Sequence, residues 1–178
     1  MHPFEIATIV LTACTVVLGW LQYQAAKTKK ASAIEVIPHS SLKLYLKRER
    51  VAKELIEIAN RTSRGEVLFG SCKTCGNYPP EVHSAIARAV GRGAVIKFIV
   101  SNSDDSSDFV SFLRGLNPSQ VSFKKRGGDY LRMCGIKGKE VLLAFPRTDV
   151  YIGLHVLDNI LVGVLGLAFE GLWNMEAP

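Results

Sequence analysis

From residue 42 to residue 175 the apolar positions come in short blocks whose period changes from helix to strand and back. Pro38 and Ser40–Ser41 mark a helix start, and Leu44, Val51, Ala52, Leu55, Ile56 and Ala59 then recur at helical spacing. One helix is therefore predicted over Leu42–Ala59, ended by "RTSRG". "EVLFGSC" (Glu66–Cys72) is a short, uniformly apolar run of the kind a buried strand shows. "PEVHSAIARAVGRG" has proline at its start and glycine at its end, the asymmetry of a helix. "AVIKFIVSN" (Ala94–Asn102) predicts a second strand. The acid- and serine-rich "SDDSSD" then precedes a helix, "FVSFLRGL", where negative residues suit the positive end of the helix dipole. "QVSFKK" predicts a third strand, and "YLRMCGI" and "EVLLAFP" a hairpin around Lys137-Gly138-Lys139. "VYIGLHV" predicts another strand, and "LDNILVGVLGLAFEGLWNM" an apolar C-terminal helix that packs on the domain rather than crossing a membrane. The order β-α-β-α-β-β-β-α implies an α/β sandwich built on a mixed sheet, with helices on both faces.

Ahead of this pattern lies an apolar block, Phe4 to Leu21, with Glu5 the one charge near its start. Its length suits a bilayer core of about 30 Å. Trp20 and Tyr23 stand at one end, where amphipathic rings favour the headgroup zone, and Lys27, Lys29 and Lys30 follow. A cleaved signal peptide would want a basic leader and a small-residue cleavage site, which "MHPFE" and "YQAA" do not provide. "LTAC" resembles a lipoprotein box, but the apolar run continues beyond Cys14. A buried core helix is the remaining alternative. The expectation is one transmembrane anchor over residues 1–26, a juxtamembrane linker over 27–41 and a domain over 42–178. The lysines put that domain on the cytoplasmic side of the membrane by the positive-inside rule.

All 22 basic residues and 15 of the 16 acidic ones lie beyond the apolar block, so the domain side carries a net charge of +7. A basic surface suits an anionic membrane leaflet, phosphate ligands or nucleic acid; it also suits nothing more than solvation. Nucleic acid ranks lowest, because no platform of interleaved aromatics is legible. The four cysteines are Cys14, Cys72, Cys75 and Cys134. A reducing cytoplasm argues against structural disulfides. Cys72-Lys73-Thr74-Cys75 leaves the first predicted strand, and with Cys134 and His83 or His155 it offers a Cys₃His set of zinc ligands. One CxxC without a second pair is a weak signal, and thiols without a metal are the expectation; no cofactor is predicted.

The order of elements from Leu42 to Met175, with "AIARAVGRGAVIKFIVSN" and "GKEVLLAFP", resembles one phospholipase D-like domain. The closing "AFEGLWN" also resembles the effector domain of archaeal sugar-responsive regulators of the TrmB type. The family's enzymes carry His-x-Lys-x-x-x-x-Asp on the hairpin: a histidine nucleophile, a lysine that neutralises phosphate, and an aspartate that fixes the turn. Aligning the turn at Lys137-Gly138 puts Tyr130 at the histidine, Arg132 at the lysine and Lys137 at the aspartate, and no histidine lies between Asp129 and Glu140. The resemblance therefore implies a degenerate site. Arg132 keeps the fork geometry that binds phosphate or carboxylate, or else is a solvent-facing strand residue. Tyr130 would line the same pocket. Gly153-Leu154-His155 stands where the family has a small Gly-containing signature, which would bring His155 near the old site; a lone histidine is as readily a core or surface residue. The function implied is a non-catalytic sensor of an anionic small molecule or a module that recruits a protein partner, with homodimerisation as the family pattern. The alternative is a membrane-tethered nuclease or phospholipase using an unrecognised nucleophile, His155 or Cys134.

Overall fold

The structure is a computed structural model, and it describes residues 41–72, 78–102, 107–127, 131–146 and 151–175. The predicted anchor, nearly all of the linker, Cys75 and Tyr130 lie outside these residues. Seven strands form one sheet in the order β1-β7-β6-β5-β2-β3-β4. They are β1 (Leu42–Tyr45), β2 (Val67–Cys72), β3 (Val95–Ser101), β4 (Val121–Arg126), β5 (Arg132–Ile136), β6 (Glu140–Pro146) and β7 (Tyr151–Val156). The helices are α1 (Arg48–Arg61), α2 (Pro80–Gly91), α3 (Ser107–Arg114) and α4 (Asn159–Asn174). β2, β3 and β4 run parallel, joined through α2 and α3; every other pairing is antiparallel. Parallel neighbours need such crossovers, whereas the β5–β6 pair needs only its tight turn. There Gly138 takes φ +75°, which glycine adopts without cost, and Lys139 N–H donates to Ile136 O.

The two-residue period of the strands divides the core in two. Leu68, Ile96, Phe98, Val100, Cys134 and Leu142 point to one face and pack under α1, α2 and α3. Phe69, Ile99, Met133, Val141, Leu143, Leu154 and Val156 point to the other and pack under α4 with Val162 and Phe169. β2 and β3 are interior strands with helices over both faces, and their sequences read as nearly continuous apolar runs. α4 begins at Asp158, whose carboxylate accepts from the N–H groups of Ile160 and Leu161. No helix among the described residues is long and apolar enough to cross a membrane.

One element differs from the sequence expectation. The helix predicted from Leu42 starts at Arg48, and Leu42–Tyr45 is an edge strand antiparallel to β7, with Leu44 opposite Leu154. "LKLY" fits either period. What decides is the open backbone edge of β7, whose N–H and C=O groups β1 satisfies.

Candidate functional site

Two groups of residues lie beneath α1, on the same face of the sheet. The first surrounds a cavity of about 230 Å³ at the carboxyl end of β2, the end where α/β sheets hold ligands. α1 supplies Arg48, Val51, Ala52 and Leu55; β2 supplies Ser71 and Cys72; β5 and β6 supply Arg132, Met133, Cys134, Leu142 and Ala144; Tyr78 and Pro79 close the side before α2. The chain around Arg132 is pinned. The Ser71 hydroxyl donates to Leu131 O and accepts from Met133 N–H at 3.2 Å, so the peptide groups on both sides of Arg132 are tied to β2. The half-buried Arg132 guanidinium has no ion-pair partner among the described residues. A forked cation thus faces a pocket whose other walls are mostly apolar, an arrangement suited to holding one anionic group.

No cysteine is among the side chains that come close enough together, within the described residues, to share a cation. Cys72 is disulfide-bonded, which corrects the expectation of free thiols, and a disulfide sulfur offers no thiolate to zinc. Cys134 is a separate, buried free thiol. Burial pushes the Cys134 thiol up to about 12, with the Glu140 charge adding to the effect. His83 lies elsewhere, stacked on Phe112 with ring centroids 4.6 Å apart and tilted against Phe109 at 5.5 Å. Burial holds its imidazole below the usual histidine value.

The second group centres on His155, which is 1% exposed. His155 pairs with Leu142 in the β6–β7 ladder, and Leu142 lines the cavity, but the imidazole itself is not among the cavity walls. Its Nε2 and Glu140 Oε2 are 2.8 Å apart, a hydrogen bond with the ring N–H donating. Its Nδ1 faces Glu54 Oε1 at 3.4 Å, within ion-pair distance but off hydrogen-bond geometry. Arg61 binds both acids: Nη2 lies 2.8 Å from Glu54 Oε1 and 2.8 Å from Glu140 Oε2, and Nε donates to Glu140 Oε1 at 3.2 Å. The Tyr45 hydroxyl donates to Glu54 Oε2 at 2.7 Å. Burial alone would raise the Glu140 carboxyl; the hydrogen bonds from His155 and Arg61 outweigh it and bring it down to about 2. Burial likewise opposes Glu54, and the bonds from Arg61 and Tyr45 hold it below the usual range. Burial and the adjoining Glu54 carboxylate raise the Tyr45 hydroxyl, and the bond to Glu140 raises Arg61.

Glu54, Glu140 and His155 are the metal-ligating side chains that come close enough together among the described residues to share a cation. Arg61 already stands between the two carboxylates, so a guanidinium fills the cationic position. Two acids, one guanidinium and one imidazole make a neutral set when the ring is protonated. The set ties α1 (Glu54, Arg61) to β6, β7 and β1. It is a clamp for α1 rather than a place for a substrate.

Two of the positions that the resemblance aligns with the triad lie apart. Arg132 opens β5 and faces the cavity, while Lys137 lies at the other end of the strand, in the turn, and pairs with Glu170 of α4 at 2.8 Å. His155 meets Glu140 and Glu54 in the clamp and is not among the walls of the cavity that Arg132 lines. Sequence reasoning missed Glu54, Arg61, Glu140 and Arg48. A trace of them was present, since Glu54 and Arg61 are two helical turns apart on one face of α1 and Glu140 opens an otherwise apolar strand.

No protein-family model matches the sequence, and no curated protein matches it. Solved structures do. TrmBL2, an archaeal chromatin protein described with a novel mode of DNA binding, superposes with a TM-score of 0.58 at 13% identity; the match covers 95% of this chain but 64% of that one. Nuc, a phospholipase D family member from Salmonella typhimurium, matches with a TM-score of 0.58 at 11% identity, covering 75% of this chain and 94% of Nuc. NucT from Helicobacter pylori matches with a TM-score of 0.58 at 12% identity, covering 74% of this chain and 94% of NucT. The fold is phospholipase D-like. At these identities the likeness is one of fold alone.

Proposed function

We propose that this chain is a membrane-tethered, cytoplasm-facing phospholipase D-like domain that binds an anionic ligand beneath α1 and does not cleave it. The observation that carries the reading is the Arg132 guanidinium, half-buried without an ion-pair partner among the described residues and turned to a cavity at the carboxyl end of β2. The chemistry of cleavage lacks its parts. Tyr130 and Lys137 occupy the histidine and aspartate positions of the family motif. A tyrosine hydroxyl, with an ordinary pKa of about 10, is a poor nucleophile and proton carrier at neutral pH. Of the two other nucleophiles, His155 is buried in the clamp and the Cys134 thiol stays protonated. Membrane tethering rests on the apolar block Phe4–Leu21 and the lysines after it.

The test uses the full chain in detergent. Inorganic phosphate and a short single-stranded DNA are titrated by calorimetry, and bis-nitrophenyl phosphate is followed for turnover with and without divalent metal. Binding without turnover is expected. Arg132→Ala should weaken binding by about 10- to 100-fold, the range of a lost charge-assisted hydrogen bond, with the melting temperature unchanged. Turnover abolished by His155→Ala or Cys134→Ala would establish the enzyme instead.

A further inference from the structure

α4 is the one helix on its side of the sheet among the described residues, and its outward side is apolar. Ile160 is 78% exposed and Leu167 is 74% exposed. Gly163 lies between them on the same side, with open space where a Cβ would stand. These positions follow helical spacing, so they form a stripe rather than scattered residues. Glu170 is the single charged residue of α4, and it is paired with Lys137 at 2.8 Å and Lys97 at 3.8 Å. Lys97 and Lys124 also lie over the ring of the half-buried Trp173, at 5.4 and 5.1 Å from its centroid. An apolar helix face is therefore flanked, at its carboxyl half, by three lysines, one acid and a tryptophan.

From these features we infer that the outward face of α4, with Lys97, Lys124 and Lys137, docks on an anionic bilayer surface. A helix with this composition lies in the interface plane, its apolar side among the acyl chains and its basic rim among the headgroups. Trp173 suits the same depth. A second observation concerns where the described chain begins. The Ser41 carbonyl accepts from Leu157 N–H, next to the Asp158 cap of α4. Residue 41, the described residue nearest in sequence to the apolar block Phe4–Leu21, thus lies beside the first turn of α4, which carries the exposed Ile160. One membrane surface can take both, which is the sense in which this inference rests on the membrane reading above. Charge selects the bilayer over a second copy: a second α4 would bring one acid, Glu170, which is already paired with Lys137 and Lys97, whereas anionic headgroups complement the lysines. The docking also leaves the ligand cavity free, because α1 and Arg132 lie on the opposite face of the sheet.

The experiment places a diazirine-bearing amino acid at Leu167 of the full chain, and at Glu57 on α1 as a control. Each protein is reconstituted in vesicles with about one-third anionic lipid, near the composition of a strongly charged leaflet, and in purely zwitterionic vesicles. After illumination, lipid adducts are counted by mass spectrometry. Expected are lipid adducts at position 167 several-fold above position 57, more abundant with anionic lipid, and reduced by Lys97→Glu with Lys124→Glu. The same label at Ile160 gives a second readout should the Leu167 variant fold poorly. Adducts to a second chain, adducts to residues 4–21, or reaction with water alone at both positions would each overturn the inference. Alkaline carbonate extraction separates the two readings. A chain that resists extraction yet shows no lipid adduct at α4 loses this inference and keeps the anchor; a chain that is extracted yet shows adducts with anionic lipid loses the anchor and keeps the docking face.

Discussion

His155 on β7 and Glu140 on β6 meet through a 2.8 Å hydrogen bond on the face of the sheet that α1 covers. They are diagonal neighbours in the ladder, because His155 pairs with Leu142. Arg61 and Glu54 complete the set from α1. The helix that roofs the cavity is thus held by charge at one end and by Val51 and Leu55 along its length. Glu140→Ala should leave Arg61 and His155 facing each other without a shared acid. The expected loss is about 3 kcal/mol, at the lower end for a broken buried pair because solvent reaches the half-exposed Arg61. Denaturant unfolding measures it.

The same pair sets an acid limit. Glu140 titrates at about 2 in the folded chain and near the ordinary carboxylate value when unfolded. A depressed acid contributes its stabilisation fully above the unfolded value and loses it as pH falls toward the folded one. Stability should therefore decline from about pH 4.5 down to about pH 2, and Glu140→Gln should flatten that decline while lowering the neutral plateau. A melting-temperature series over this range checks both. An unaltered acid limb in the variant would show that other carboxylates govern it.

Cys134 should be chemically silent in the native state. Its burial and its raised thiol pKa leave almost no thiolate near neutrality. Iodoacetamide should leave Cys134 unmodified until denaturant is added, as peptide mass spectrometry would record. Modification of the folded chain at the rate of a free thiol would revive it as a nucleophile.

Gly153 on β7 lets α1 approach. A Cβ there would overlap Val51 Cγ2. Gly153→Ala should cost about 1–3 kcal/mol through overpacking. Adding Val51→Ala should return part of that loss, and a double-mutant cycle by denaturant unfolding reads the coupling.

Asp158 caps α4. Asp158→Ala removes the acceptor of two backbone N–H groups and should cost about 1 kcal/mol. Faster amide exchange should be confined to the first turn of α4, leaving the cavity face unaffected.

Much of the fold was legible from residues 66 to 174 because both periods are strongly written there. "EVLFGSC", "AVIKFIVSN" and "EVLLAFP" read as strands, Pro80 marks a helix start, and Gly138 marks the hairpin turn. The absence of a histidine between Asp129 and Glu140 was equally legible, since a missing residue type needs no structure. Other features were decided only when the chain closed on itself. Leu42–Tyr45 fits a strand or a helix, and the open edge of β7 selects the strand. His155 fits a ligand site or a core, and its neighbours Glu140 and Glu54 come from β6 and α1. Arg132 and Arg48 share a cavity because the register of β5 and the seat of α1 bring them together. Local period and turn chemistry act between near neighbours in the chain, whereas charge pairing and sheet edges act between residues that are neighbours only in space.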